Sequence, residues 1–327
     1  MARLNLIPDR FTVLLLGVVT LASFLPASGR TADVLSSMTT LAVAALFFLH
    51  GAKLSREAIW AGVTHWRLHL LVALCTFAVF PLVGFALRPL LEPLVTPNLY
   101  LGLLFLCTLP ATVQSAIAFT SMARGNVAAA VCSASASTLL GILVTPLLVS
   151  LLLAKGGATS NPWEAAGRIA VQLLLPFIAG HLLRPLIGGV LQRRAVALKV
   201  VDQGSILLVV YVAFSHAVTE GLWQDIPTSA LAGLLFACTV LLAAVLTIAT
   251  WSSRKLGFSK EDEITIVFCG SKKSLMNGVP MASVLFAPHV AGAIVLPLML
   301  FHQLQLMVCA VLARRYAHRA PPAAATA

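Results

Sequence analysis

Charge is what this chain has least of. Asp, Glu, Lys and Arg make up 10% of 327 residues, acids number 11 against 22 bases, and 59% of the chain is hydrophobic. That balance lies far from soluble globular composition and marks a polytopic membrane protein, with the lipid bilayer as its surroundings. Inside the long apolar runs carboxylates are missing altogether, because every acid falls at a run end or in a loop. Without interior aspartates, a nucleophile with its base, or a His-Glu-x-x-His motif, an intramembrane enzyme has no machinery to use. Paired cysteine spacing is absent too. Cys75, Cys107, Cys132, Cys238, Cys269 and Cys309 each stand in an apolar run, which excludes a metal or disulfide framework and leaves small core residues. The net charge of +11 does not point to nucleic acid, since the bases are scattered singly with no aromatic interleaving.

What is present is a series of apolar runs of spanning length. Ten are expected, at 11–28, 34–52, 68–90, 98–123, 126–153, 164–185, 203–220, 228–252, 263–287 and 289–313. The sixth is the poorest, with Arg168 and Arg184 near its ends. Residues 1–27 have the outline of a signal peptide, but the charge-free run from Phe11 to Gly29 can span if tilted and is read as the first span. An even count puts both termini on one side. Sixteen bases then fall on the terminal side and four, Arg30, Arg88, Lys155 and Arg168, on the other, which places both termini in the cytoplasm.

The segment Lys155 to Pro162 divides the chain into 1–153, a linker at 154–162, a second half at 163–314 and a disordered tail at 315–327. Five spans on either side, an odd number, would make the second half enter the membrane from the opposite face, as in the inverted repeats of secondary transporters. Pro110 in the fourth span answers to Gly270 in the ninth, Pro26 to Pro176 and Pro146 to Pro297, at offsets of 160, 150 and 151.

Chemistry concentrates at the two interrupted spans. The ninth carries Gly270, Ser271, Lys272, Lys273, Ser274, Asn277, Gly278 and Pro280, and two lysines in an apolar run are costly enough to imply a cavity or a partner. The fourth carries Thr108, Pro110, Thr112, Gln114 and Ser115. Helix breakers with polar neighbours at matching places in both halves point to a midplane binding site, where Pro110, Gly270, Gly278 and Pro280 would free backbone groups. Ser133 and Ser137 share one helix face and serve either close packing or a cavity wall. His302 and Gln303, with Gln305, form a second polar cluster in the tenth span.

The segments Leu109-Pro-Ala-Thr-Val-Gln-Ser115, Arg124-Gly-Asn126 and Phe268-Cys-Gly-Ser-Lys-Lys-Ser274 resemble the bile acid:sodium symporter family, in its sodium-bile-acid-symporter-like branch. The resemblance covers essentially the whole chain. It implies an all-α membrane protein of ten helices in two inverted repeats, the fourth and ninth broken and crossing. A core domain of spans 3–5 and 8–10, a panel domain of spans 1, 2, 6 and 7, and alternating access for an organic anion are further implications. Sodium-coupled members carry a glutamate before the ninth-span glycine and a glutamine after it. Here Cys269 stands before Gly270 and Ser271, Lys272 and Lys273 follow, so the oxygen ligands and carboxylate a sodium ion needs are missing.

No cofactor is called for, and sodium stays open only through the resemblance. One lysine, Lys272 ahead of Lys273, is expected to replace the ion with a fixed ammonium. Two other readings are a lysine that exchanges a proton during transport and a pair that snorkels to water. Adjacent helical residues point about 100° apart, so one of the two should face the cavity. A ligand-binding regulatory membrane protein without net transport is the alternative function. Nothing in the sequence fixes an oligomeric state.

Overall fold

The computed structural model describes residues 10–53, 65–153 and 162–318. Most of the expected linker and tail lie outside them. Among the described residues the chain is all helical, with no strand.

The helices are α1 (Arg10–Phe24), α2 (Gly29–Lys53), α3 (Trp66–Ala86), α4 (Pro97–Thr108), α5 (Val113–Met122) and α6 (Val127–Leu153). They continue with α7 (Pro162–Arg193), α8 (Ala195–Thr219), α9 (Thr228–Lys255), α10 (Lys260–Gly270), α11 (Leu275–Leu285) and α12 (Pro288–Ala317). Among the described residues, six are long and apolar enough to cross a membrane, or seven if α4 and α5, bent by 64° at their break, form one span. Helices α1 and α7 offer shorter apolar stretches, Phe11–Phe24 and Leu173–Gly189.

Local chemistry sets where the helices start. Proline opens α4 and α12, where its missing N–H costs nothing. Ser259 caps α10 by accepting the Asp262 N–H, with Glu261, Asp262 and Glu263 in the first turn beside the positive helix end. Only Arg194 separates α7 from α8 along the chain, so both helices extend past the expected spans 164–185 and 203–220 into the residues between them.

Glycines let α2 and α7 touch backbone to backbone. A Cβ on Gly51 would stand 1.9 Å from the Phe177 carbonyl oxygen, and one on Gly180 1.9 Å from that of Phe48. Without a hydrophobic force between helices in lipid, such close approach is what holds them together. All six cysteines are buried and unpaired.

Two expected helix breakers do not break. Gly278 and Pro280 lie inside α11. Pro280 forfeits only the bond to the Met276 carbonyl, near the start of the helix. Gly278 serves packing, since a Cβ there would come within 2.5 Å of both Leu109 and Leu298.

Candidate functional site

The breaks between α4 and α5 (109–112) and between α10 and α11 (271–274) lie against each other. The Ser274 N–H donates to the Pro110 carbonyl at 2.9 Å, and the Thr112 hydroxyl to the Lys273 carbonyl at 2.7 Å. Gln305 of α12 clamps the same residue from the other side. Its Oε1 accepts the Lys273 N–H and its Nε2 donates to the Lys273 carbonyl, both at 2.9 Å. Non-helical backbone inside the bundle is tolerated where its freed groups find protein partners such as these.

Pro110 leaves the α4 carbonyls without their usual N–H partners. The Thr108 carbonyl accepts the Thr145 hydroxyl at 2.8 Å, and the Ala111 N–H donates to Ser137 Oγ at 2.9 Å. The Pro110 ring sits against α6 only because residue 141 is glycine; a Cβ there would lie 2.7 Å from the ring.

The remaining freed carbonyls converge on Lys273. Its Nζ donates to the carbonyls of Thr76, Cys107 and Leu109 at 2.7, 2.8 and 2.7 Å, beneath the Phe80 ring at 4.1 Å. Thr76 is available through a turn of π-helix, Cys75–Val79, inside α3. There the Phe80 N–H bonds the Cys75 carbonyl, and the next donor in line is Pro81, which has none. Two helices, α3 at its π turn and α4 at its broken end, thus give up backbone acceptors to one ammonium.

Lys272 is equally buried and differently placed. Its Nζ lies 3.7 Å from the centroid of Phe119 and 5.8 Å from that of Phe268, with no hydrogen-bond partner. Neither side chain reaches water, as the snorkelling alternative required, and the lysine that backbone carbonyls surround is Lys273 rather than Lys272, the one placed ahead from sequence. Both side chains are 0% exposed, and the carbonyl cradle belongs to Lys273. The reason is the non-helical backbone at 271–274, which turns the two side chains to different helices. Among the described ion pairs no carboxylate meets either lysine. Glu263, the nearest acid in sequence, is taken up by Arg254, Lys260 and Tyr316.

Beside the breaks lies a cavity of about 250 Å³. Thr112, Gln114, Ser274 and Asn277 line it from the core side. The first turns of α5 and α11, whose amides lack intrahelical partners, open onto it. Ser274 accepts the Asn277 N–H as the α11 cap. Ser135 and Thr138 form its α6 wall, in place of the expected Ser133 and Ser137. Those two face elsewhere: Ser133 bonds His69 Nδ1 at 2.7 Å, and Ser137 holds Ala111.

Other expected residues separate. Thr108 turns its hydroxyl to the Phe105 carbonyl, Ser271 to that of Val267, and Ser115 Oγ is buried without a partner. His302 Nδ1 lies 2.8 Å from Gln305 Nε2, whereas Gln303 reaches Thr12 of α1 at 2.9 Å. The opposite wall of the cavity was missed from sequence: His50 and Lys53 of α2, Phe177 of α7 and Asp202 of α8. Asp202, read as lying outside the seventh span, is a buried residue of α8. The only signal in the sequence was the 3-residue spacing of His50 and Lys53, which puts them on one helical face.

Interrupted helices meeting at a buried cation beside a two-walled cavity belong with multi-span membrane transporters, and comparison with known proteins names the family. Residues 9–318 match the SBF-like CPA transporter family, and the chain belongs to it. It is 64% identical over 325 residues to an uncharacterized protein of Pseudomonas aeruginosa, covering 99% of this chain and 98% of that one. Identity to YfeH of Escherichia coli K12, provisionally named a symporter, is 58% over 308 residues, 94% and 92% of the two chains. The mouse sodium/bile acid cotransporter 7 is 30% identical over 280 residues, 84% of this chain and 82% of the relative. The family and the latter two relatives bear the names of transporters, which sets enzymatic readings aside.

Proposed function

We propose that this protein is a secondary carrier that moves a small organic anion across the cytoplasmic membrane by alternating access. Its ten spans form two inverted five-helix repeats, with both termini in the cytoplasm. Helices α1, α2, α7 and α8 make a panel, and α3–α6 with α9–α12 make a core whose broken pairs, α4–α5 and α10–α11, cross. The observation that carries this reading is the convergence of three backbone carbonyls on Lys273 Nζ at the meeting of the two breaks.

An ammonium so placed does the electrostatic work of a bound cation. It holds the crossing together without sodium, which this chain has no carboxylate to neutralise there. The first turns of α5 and α11 then present amide donors and positive helix ends to an anion in the cavity. A second cavity supports alternating access. It is lined by Ser36 and Thr39 near the other end of α2, His216 of α8, and Ser283 of α11, so the same helices border two recesses near their opposite ends.

Counterflow in proteoliposomes tests the reading. Vesicles preloaded with an unlabelled carboxylate should transiently accumulate the labelled form. A regulatory protein that binds without transporting would give no accumulation with any carboxylate that stabilises the purified protein.

A further inference from the structure

Among the described residues, the panel wall of the cavity carries one Lys or Arg, Lys53, and one carboxylate, Asp202, paired with each other between α2 and α8. The pair is incomplete. Asp202 is 5% exposed, yet its Oδ1 is buried with no hydrogen-bond partner. An unsatisfied carboxylate oxygen in such a place is costly. One helical turn back from Lys53, His50 Nδ1 is also buried without a partner, and it lines the same cavity. The unmet atoms are complementary, since a protonated Nδ1 donates and Oδ1 accepts. Lys53 itself has three donors, its side chain is 38% exposed, and it lines the cavity.

A carboxylate resting on a half-exposed ammonium, with a second partner waiting nearby, is arranged for exchange. We propose that Lys53 is the panel-side ligand of the transported anion's carboxylate, and that Asp202 is its resident stand-in, moving to His50 when substrate takes Lys53. This rests on the carrier reading above and adds the chemistry of the headgroup. The transported group binds with its carboxylate between Lys53 and the amides opening α5 and α11. Its apolar body lies along Leu139, Phe177 and Met276. A volume of about 250 Å³, under the 300–1,000 Å³ typical of drug-sized pockets, fits a small monocarboxylate rather than a steroid skeleton.

The test uses purified full-length protein and benzoate, an acid with one flat apolar body, against benzamide as the uncharged control. Binding is followed by calorimetry and thermal shift. Asp202→Asn removes the resident competitor, so benzoate should bind about tenfold more tightly than to wild type. Lys53→Gln should lose binding, and benzamide should bind none of the three. A gain of affinity cannot come from a misfolded variant, so Asp202→Asn keeps the test sound if Lys53→Gln is unstable. Benzoate affinity unchanged or weakened in Asp202→Asn, or kept in Lys53→Gln, would overturn the assignment. Benzoate counterflow run in parallel separates the two ideas. Transport that survives Lys53→Gln removes this inference and leaves the carrier, whereas wild-type binding without transport removes the carrier and leaves the site.

Discussion

Lys273 delivers its ammonium to three backbone carbonyls, whereas Lys272, one residue earlier and as fully buried, delivers its own to two aromatic rings and no acceptor. Desolvating an ammonium is expensive in both places. For Lys273 the cost is offset by acceptors that two helices release, at a π turn completed by Pro81 in α3 and at the Pro110 break after α4, while the non-helical residues 271–274 aim the side chain at them. For Lys272 the offset comes from ring quadrupoles, worth about 2 kcal/mol when desolvated. Backbone irregularity thus follows Lys273. A charge tolerated in a core and a charge for which a core was rearranged look alike in sequence and unlike in their acceptors.

Substitution can break that comparison. Lys273→Met should have the largest effect, because it leaves three buried carbonyls unmet. A loss of about 3–5 kcal/mol is expected, read as a large drop in the melting temperature of the detergent-purified protein. Next comes Gly141→Val, which drives a branched side chain into the Pro110 ring and should cost about 1–3 kcal/mol while distorting the crossing. Denaturant melts and counterflow would report both consequences. Ser137→Ala removes the acceptor of the Ala111 N–H and should cost about 1–2 kcal/mol in the same melts. Lys272→Met should move stability least, within about 1 kcal/mol in either direction, since relief of desolvation balances the lost ring contacts. If Lys272→Met proved as damaging as Lys273→Met, the contrast would collapse.

The conspicuous half of this site was legible because lysines, Pro110 and Gly270 stand out against apolar sequence. Charge in lipid is costly and proline cannot donate, so each carried its meaning alone. The cradle was not legible in that way. It depends on the Thr76 carbonyl, a group every residue possesses, and the only hint was Phe80-Pro81 within the third run. Gln303 and Gln305 show a related limit. Two residues apart on a helix they face opposite ways, and only packing decides that Gln305 holds Lys273 while Gln303 meets Thr12. Lys53 and Asp202 fell just outside the expected spans 34–52 and 203–220 because apolar-run counting trims charged ends, and His50, inside the first of these, read as a solvated residue near its end. In the structure those ends are helical and face the cavity.

The same comparison carries the claim about coupling, for a cradle already filled by an ammonium has no need of another cation. Initial uptake of the anion identified by counterflow, measured in proteoliposomes with sodium or with choline as the external cation, tests this most directly. Equal rates in the two salts are predicted; uptake that disappears without sodium would contradict the account.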